Sequence, residues 1–217
     1  MRHLLAVLEV MFDTILPLRE RSARTKARGA EDIPLSPTVH ELLGTHITTL
    51  MDYRAGPVQD LIRSLKYDGS RHAASLAGEL LADYVREELS SQRAFSARKI
   101  LIVPIPLHAS RARERGFNQI ELVLQALPRE MRDGSLSTLM PGALVRVRET
   151  APQTRLPRAE RLSNVAGAFE VFDARFVERT HVFLVDDVTT TGATLANAAT
   201  ALRRAGAEVT LLALARA

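Results

Sequence analysis

The stretch that decides the fold is residues 181–194, which read His-Val-Phe-Leu-Val-Asp-Asp-Val-Thr-Thr-Thr-Gly-Ala-Thr. The unbroken apolar run at 182–185 is typical of a short strand buried on both faces of a parallel sheet. The adjacent carboxylates of Asp186 and Asp187 close this run. Apolar residues then repeat at helical spacing, at Leu195, Ala198, Ala199 and Leu202. The pattern predicts a strand, an acidic pair, a hydroxyl-rich turn and a helix that stops near Gly206.

The turn after the acidic pair has the features of a phosphate site. A helix N-terminus presents unpaired backbone N–H groups and a partial positive charge, and together these hold an anion. A glycine lets the backbone approach the anion closely, and threonine hydroxyls can add donors. The phosphate-binding residues predicted here are Thr189, Thr190, Thr191, Gly192, Ala193 and Thr194.

The two carboxylates must contact a different part of the ligand, because they would repel a phosphate. Neighbouring sugar hydroxyls are natural partners for Asp186 and Asp187, so a ribose flanked by a phosphate fits both halves of the motif. The alternative is an ordinary strand-to-helix turn with a threonine cap, and with acids placed for the helix dipole. A cap explains one threonine but not four beside two acids, which favours the ligand site.

The motif resembles the signature of the type I phosphoribosyltransferases, which bind phosphoribosyl pyrophosphate (PRPP). The resemblance implies that Asp186 and Asp187 contact the ribose or a metal, and that the following turn holds the 5-phosphate. No lysine follows Gly192, so the motif is not a Walker P-loop. Thr190 stands where some family members carry an acid proposed to accept a proton from a purine base, so this turn supplies no such base.

Composition sets the broad limits. The chain has 217 residues, 46% of them apolar, which suits one substantial domain with an aliphatic core. It contains no cysteine, which excludes disulfides and thiolate metal sites. No run is long and apolar enough to span a membrane, and the apolar start at residues 4–16 lacks a signal-peptide cleavage site, so we expect a cytoplasmic protein with no membrane span.

The coarse pattern predicts an α/β fold. Strands and helices alternate from residue 100 to the C-terminus, which predicts a parallel sheet flanked by helices. Beside the organising strand, strands are expected at residues 100–103, 143–147, 168–172 and 208–214. Helices are expected at 58–67 and 71–89, while residues 39–50 fit either a strand or a short helix. We therefore divide the chain into a mainly helical N-terminal region, 1–99, and an α/β core, 100–217.

Residues 18–37 contain an arginine-rich segment of the N-terminal region. They hold Arg19, Arg21, Arg24, Lys26 and Arg28 with few apolar residues. The formal net charge of the chain is +4 and its sequence pI is about 9.9. This segment predicts a mobile basic loop, and the alternative is a contact with nucleic acid.

Further motifs extend the resemblance to the ComF family of competence-associated phosphoribosyltransferases. They are Leu65-Lys66-Tyr67, Val103-Pro104-Ile105-Pro106-Leu107, Arg115-Gly116-Phe117-Asn118-Gln119, Thr150 with Gln153, Arg161 with Asn164, and Gly167-Ala168-Phe169. The resemblance implies a pyrophosphate loop that contains Leu107, His108, Arg111 and Arg115. It also implies a mobile loop at residues 148–164 that contains Thr150, Gln153, Arg161 and Asn164. Members often carry a cysteine-rich zinc ribbon after an N-terminal helix, and the cysteine-free segment after Pro17 cannot form one.

The resemblance leaves two classes of function open. An enzyme would bind PRPP with Mg²⁺, held mainly through PRPP, and transfer phosphoribose to an unknown acceptor with release of pyrophosphate. A non-catalytic protein would be a PRPP sensor, or a module that binds single-stranded DNA and a helicase. The chain has no Trp, 3 Tyr and 7 Phe, so an aromatic platform for stacked bases is not evident. The sequence does not specify the acceptor, the partner or the oligomeric state.

Residues 148–164 combine prolines and arginines with no periodicity, which is typical of a functional loop. We expect saturating PRPP to slow trypsin cleavage in this segment, because the loop would close over the ligand. Equal cleavage rates with and without PRPP would contradict the prediction.

Overall fold

The computed structural model describes residues 18–92, 98–107, 113, 116–148 and 167–217 of the chain. The strands are β1 Thr38–Leu42, β2 Thr45–Asp52, β3 Ile100–Pro104, β4 Thr138–Leu139, β5 Leu144–Arg146, β6 Phe169–Val171, β7 His181–Thr189 and β8 Glu208–Arg216. The α-helices are α1 Leu18–Lys26, α2 Gly56–Asp68, α3 Arg71–Gln92, α4 Gln119–Gln125, α5 Ala174–Val177 and α6 Ala193–Arg204. Short 3-10 turns lie at Ala30–Asp32, Arg129–Met131 and Pro141–Ala143.

The described strands form one large sheet and one small one. The large sheet has six strands in the order β1-β2-β8-β7-β3-β4, and each neighbouring pair is parallel except β1 and β2. Its central strand β7 pairs with β8 on one side and with β3 on the other. Residues 182–185 are fully buried, because both faces of this strand are covered, so apolar side chains are needed at consecutive positions. The predicted α/β class and mainly parallel sheet are confirmed.

Helices cover both faces of the sheet. Apolar side chains of α2, α3 and α4 pack around Phe183 and Leu212 in one cluster. Those of α6 pack around Leu184 and Leu211 in the other cluster. Alternate residues of β7 and β8 thus contribute their side chains to the two clusters, because successive side chains of a strand point to opposite faces of the sheet. Within the described part of the chain, no helix combines the length and apolar character needed to cross a membrane.

The N-terminal region contributes strands as well as helices. Residues 39–50 lie in the β1–β2 hairpin, and β2 extends the parallel sheet beside β8. β2 belongs in the sheet because its residues from Ile47 to Met51 are all buried. The division of the chain at residue 99 into two domains stays a prediction, and the large sheet takes strands from both sides of it.

The strand expected at residues 143–147 does not belong to the large parallel sheet. β5 pairs antiparallel with β6 in the separate two-stranded sheet. Each has three residues, and each buries a first side chain, Leu144 or Phe169, and leaves other positions at least partly accessible. Such short, one-sided strands do not suit a sheet covered on both faces. The edge of the large sheet is instead the two-residue β4, which is too short to give a periodic signal.

The expectation of a mobile basic loop after Pro17 is wrong for the described residues. The segment begins with α1, and its arginines contact acids on α2. Arg24 and Arg28 each donate to the Asp60 carboxylate at 2.9 Å, and Arg21 donates to Asp68 at 3.3 Å. These acids lie far along the chain from their partners, so local sequence patterns could not reveal the pairing. The charge argument for a nucleic-acid contact by these three arginines is correspondingly weaker.

The buried Asp60 predicts acid-dependent stability. Burial opposes its ionisation, but hydrogen bonds from Arg24 and Arg28 lower the pKa of Asp60 below the ordinary 3.8. A carboxyl with a depressed folded pKa contributes stability that is present above the unfolded pKa and is lost as pH falls through the folded pKa. We expect Asp60→Asn to lower the free energy of unfolding by about 1–3 kcal/mol near neutral pH, discounting for the exposed Arg24, and by less as the pH drops below about 4.

Urea unfolding of the parent and the variant across this pH range measures the effect. Asp83→Asn is the matched control, because Asp83 also pairs with an arginine, Arg86, but its side chain is 63% exposed. A stability difference for Asp60→Asn that stays constant into strong acid would contradict the prediction.

Candidate functional site

The candidate site lies at the carboxyl edge of the large sheet, where β7 extends beyond its neighbour β3. The pairing of β3 with β7 ends at Pro104 and Val185, and the Ile105 N–H then donates to the Val185 carbonyl at 2.8 Å. β7 continues beside β8 alone, with Val188 opposite Ala215. The expectation that the acidic pair ends the strand is therefore wrong. Asp186 and Asp187 lie inside the strand, on the part of β7 that has lost its β3 partner.

The carboxylates of this pair are held by neighbouring donors. The Asp187 N–H donates to Asp186 Oδ1 at 2.9 Å, and the Val188 N–H donates to Asp187 Oδ1 at 2.7 Å. Gln119 Nε2 donates to Asp187 Oδ2 at 2.7 Å. These bonds fix the orientation of two acceptor groups at a sheet edge where ligands of α/β proteins bind.

The pair is electrostatically unusual. Burial and then the adjacent Asp187 charge raise the pKa of Asp186 well above its ordinary value, and the Arg146 charge opposes this rise. The fold therefore disfavours the ionised form of Asp186, even though a carboxylate is the better acceptor. A ligand that supplies hydroxyl donors or a cation would relieve that cost.

Gln119 is a site residue that sequence reasoning did not assign. It is 6% exposed and stands at the start of α4, immediately after the N-cap residue Asn118. Asn118 Oδ1 accepts from the Ile120 N–H, and its Nδ2 donates to the Ile105 carbonyl at 3.1 Å, which ties α4 to the end of β3. The available signal was an amide side chain in the first turn of a helix that follows a strand end.

The threonine-rich turn leads from β7 into α6 as predicted. Thr189 is the last residue of β7, and Ala193 is the first of α6. Thr191 Oγ1 accepts from the Ala193 N–H at 3.4 Å, and Thr190 is exposed. The structure thus places hydroxyl groups beside the N-terminus of α6, a helix of twelve residues. Such a terminus is a suitable place for a phosphate.

Gly192 has a role in packing that the sequence did not show. Its φ is 78°, a left-handed conformation that favours glycine. A Cβ at this position would lie 2.6 Å from Ile47 Cδ1 and 3.0 Å from Leu42 Cβ. The tip of the β1–β2 hairpin therefore fits against the turn only because residue 192 has no side chain.

The remaining predicted site residues are mostly beyond the described residues. In the pyrophosphate loop Leu107 is half-buried after the end of β3, whereas His108, Arg111 and Arg115 lie outside the described ranges. The mobile-loop residues also lie outside them, namely Thr150, Gln153, Arg161 and Asn164. Their roles stay predictions. Among the residues that the structure describes, no group of three or more His, Cys, Asp or Glu side chains is arranged to hold a metal ion.

No protein-family model matches the chain. The chain is similar to several curated proteins in sequence and to several solved structures. Among the structures, a phosphoribosyltransferase from Corynebacterium diphtheriae is 24% identical, with a TM-score of 0.36, over 70% of this chain and 69% of that chain. An orotate phosphoribosyltransferase from Mycobacterium tuberculosis is 16% identical, also with a TM-score of 0.36, over 88% of this chain and 81% of that chain.

The curated relatives are more similar in sequence. The DNA utilization protein YhgH of Escherichia coli is 36% identical over 162 residues, which cover 74% of this chain and 67% of the relative. Competence protein F of Haemophilus influenzae is 37% identical over 119 residues, 54% of this chain and 50% of the relative. Competence protein ComFC of Streptococcus pneumoniae is 29% identical over 151 residues, 70% of this chain and 59% of the relative. Together with the motifs and the fold, these relatives show that the chain belongs to the ComF family of phosphoribosyltransferase-like proteins.

Proposed function

We propose that this protein binds PRPP with Mg²⁺ and transfers its phosphoribose to an acceptor, with release of pyrophosphate. The observation that carries the proposal is the pair Asp186 and Asp187 on the unpaired edge of β7, directly before the turn into α6. A phosphoribosyl ligand needs hydroxyl acceptors and an anion site side by side, and this stretch offers both.

The two halves of the motif bind different parts of the ligand. The ribose hydroxyls donate to the carboxylates of Asp186 and Asp187, which are oriented by backbone N–H groups and Gln119. The 5-phosphate lies at the N-terminus of α6, where the helix dipole favours an anion and where Thr190 and Thr191 directly precede the N-cap residue Gly192.

A magnesium ion fits the same arrangement. Mg²⁺ is commonly bound by one or two carboxylates together with substrate phosphates and water, so a cluster of three protein ligands is not required. Asp186 and Asp187 are the carboxylates that would contact it, and their mutual repulsion would fall in the presence of a cation. When bound, the ion screens the pyrophosphate charge and stabilises the leaving group.

The names of the relatives support a second, DNA-related role. DNA utilization and competence are the terms attached to those proteins, and single-stranded DNA and a helicase are the partners that we propose to test for this one. Arg21, Arg24 and Arg28 are poor candidates for such a surface, because they bind acids on α2. A PRPP sensor without turnover would use the same phosphoribosyl site, and a cytoplasmic location suits either role.

Calorimetric titration tests the ligand. We expect saturable binding of PRPP in the presence of Mg²⁺, weaker binding without it, and weaker binding of ribose 5-phosphate, which lacks the pyrophosphate. An absence of PRPP binding with Mg²⁺ would rule out the proposal. Release of pyrophosphate in the presence of an acceptor separates an enzyme from a sensor.

Amide replacements test the acidic pair. Asp186→Asn or Asp187→Asn keeps the shape but removes a charged acceptor, so each should weaken PRPP binding by about 10–100-fold, the equivalent of a charge-assisted hydrogen bond of about 1.5–3 kcal/mol. The raised pKa of Asp186 means that the parent loses stability as pH rises through this pKa. Asp186→Asn should therefore raise the thermal midpoint near neutral pH, and this advantage should shrink in acid.

Asp52→Asn is the matched control, because Asp52 is an exposed acid at the end of the parallel strand β2, outside the motif. Its PRPP affinity should equal that of the parent. If Asp186→Asn and Asp187→Asn also bind PRPP as the parent does, the two carboxylates do not hold the ribose.

A further inference from the structure

Helix α1 is attached to α2 by a set of polar contacts rather than by an apolar stripe. At one end Arg24 and Arg28 donate to the Asp60 carboxylate, which is 8% exposed. In the middle, the buried hydroxyls of Thr25 and Ser64 are 3.1 Å apart. At the other end Asp68 accepts from both Arg21 and Ser22.

Of the three arginines in these contacts, Arg21 is the least exposed. Arg21 is 3% exposed, and its guanidinium also lies over the Tyr67 ring, 4.9 Å from the ring centre. Ser22 Oγ donates to Asp68 Oδ2 at 2.7 Å. A guanidinium withdrawn from water in this way needs a carboxylate partner, so Arg21 and Asp68 depend on each other.

Asp68 is the last residue of α2, and the chain turns there against the candidate site. Gly69 follows with a φ of 55°, which ends the helix in a left-handed turn. A Cβ on Gly69 would lie 3.1 Å from Cε1 of Phe117, so the Phe117 ring packs directly on this turn. The position of Phe117 is therefore set by the end of α2.

Phe117 begins the segment that supports the acidic pair. The next residue, Asn118, caps α4 and donates to the Ile105 carbonyl. The one after it, Gln119, donates to Asp187 at 2.7 Å. A continuous series of contacts thus runs from Arg21 and Ser22 through Asp68, Gly69 and Phe117 to the carboxylate of Asp187.

We propose that Arg21, Ser22 and Asp68 are positioning residues for the ligand site, and that α1 acts as a polar clamp on the turn that carries Phe117 and Gln119. The clamp holds the end of α2 in place, α2 holds Phe117, and Gln119 is thereby kept in reach of Asp187. The link to PRPP affinity rests on the proposed function, whereas the effect on residues 117–119 does not.

The test compares the two ends of the clamp. Asp68→Asn removes the carboxylate that binds Arg21 and Ser22 beside the turn, and Asp60→Asn removes the carboxylate about two helical turns away. Both variants lose ionic contacts between α1 and α2. Only Asp68→Asn should loosen residues 117–119. The N–H groups of Ile120 and Leu122 both donate to Asn118 in this segment, so their hydrogen exchange should become about ten-fold faster in this variant and stay near the parent rate in Asp60→Asn.

A milder variant keeps the test decisive if Asp68→Asn does not fold. Ser22→Ala removes one hydrogen bond to Asp68 and leaves the ion pair with Arg21, so it should show a smaller increase in exchange at the same amides. PRPP affinity, measured well below the unfolding temperature, should fall several-fold in Asp68→Asn and in Ser22→Ala to a lesser degree, with Asp60→Asn close to the parent.

Unchanged exchange at the Ile120 and Leu122 amides in folded Asp68→Asn, or in Ser22→Ala where Asp68→Asn is unfolded, would overturn the inference. Equal loosening by Asp60→Asn would do the same, because it would show a general effect on stability. If the parent protein does not bind PRPP, the proposed function fails, and the exchange comparison still decides whether α1 positions this segment.

Discussion

The site depends on one offset between neighbouring strands. β3 stops pairing at Val185 of β7, while β8 continues to pair with β7 as far as Thr189. Residues 186–189 are thus fixed by one neighbour and open toward the other, so the acidic pair is rigid, largely enclosed and still at the ligand edge of the sheet. A half-buried pair of adjacent like charges is unfavourable, and the pKa of Asp186 is accordingly raised. In the proposed function, a ligand that brings hydroxyl donors or a cation would relieve this unfavourable interaction.

The surroundings of the motif explain how such a pair is kept in place. Gln119 reaches Asp187 from the first turn of α4, and Asn118 ties that turn to the end of β3. On the other side of the motif, Gly192 allows Leu42 and Ile47 of the hairpin to pack on the threonine-rich turn. Both supports come from segments distant in sequence, so the geometry of a short motif depends on the whole fold.

Sequence alone predicted the parts of the fold that have strong local patterns. The apolar run of β7, the helical spacing of Leu195 and Leu202, and the long helix α3 were recognised because burial imposes a period on the residues. The sequence pattern of residues 39–50 fits either a strand or a short helix, because the burial of the β1–β2 hairpin is set by the partner strand β8. β4 has two residues and gave no signal. In the site, the local sequence motif predicts the acidic pair and the threonine-rich turn. The contact of Gln119 with Asp187 joins residues 68 positions apart, so no local sequence pattern predicts it.

Charge is the feature for which sequence and structure differ most. The chain has a net charge of +4, and its arginine-rich segment predicts a mobile basic loop, with a contact to nucleic acid as the alternative. In the fold, Arg21 is buried against Asp68, and Arg24 and Arg28 share Asp60. These ion pairs replace an apolar interface between α1 and α2, which the polar sequence of α1 could not provide. These three arginines therefore attach one helix to another, which weakens the charge argument for a DNA surface at this segment.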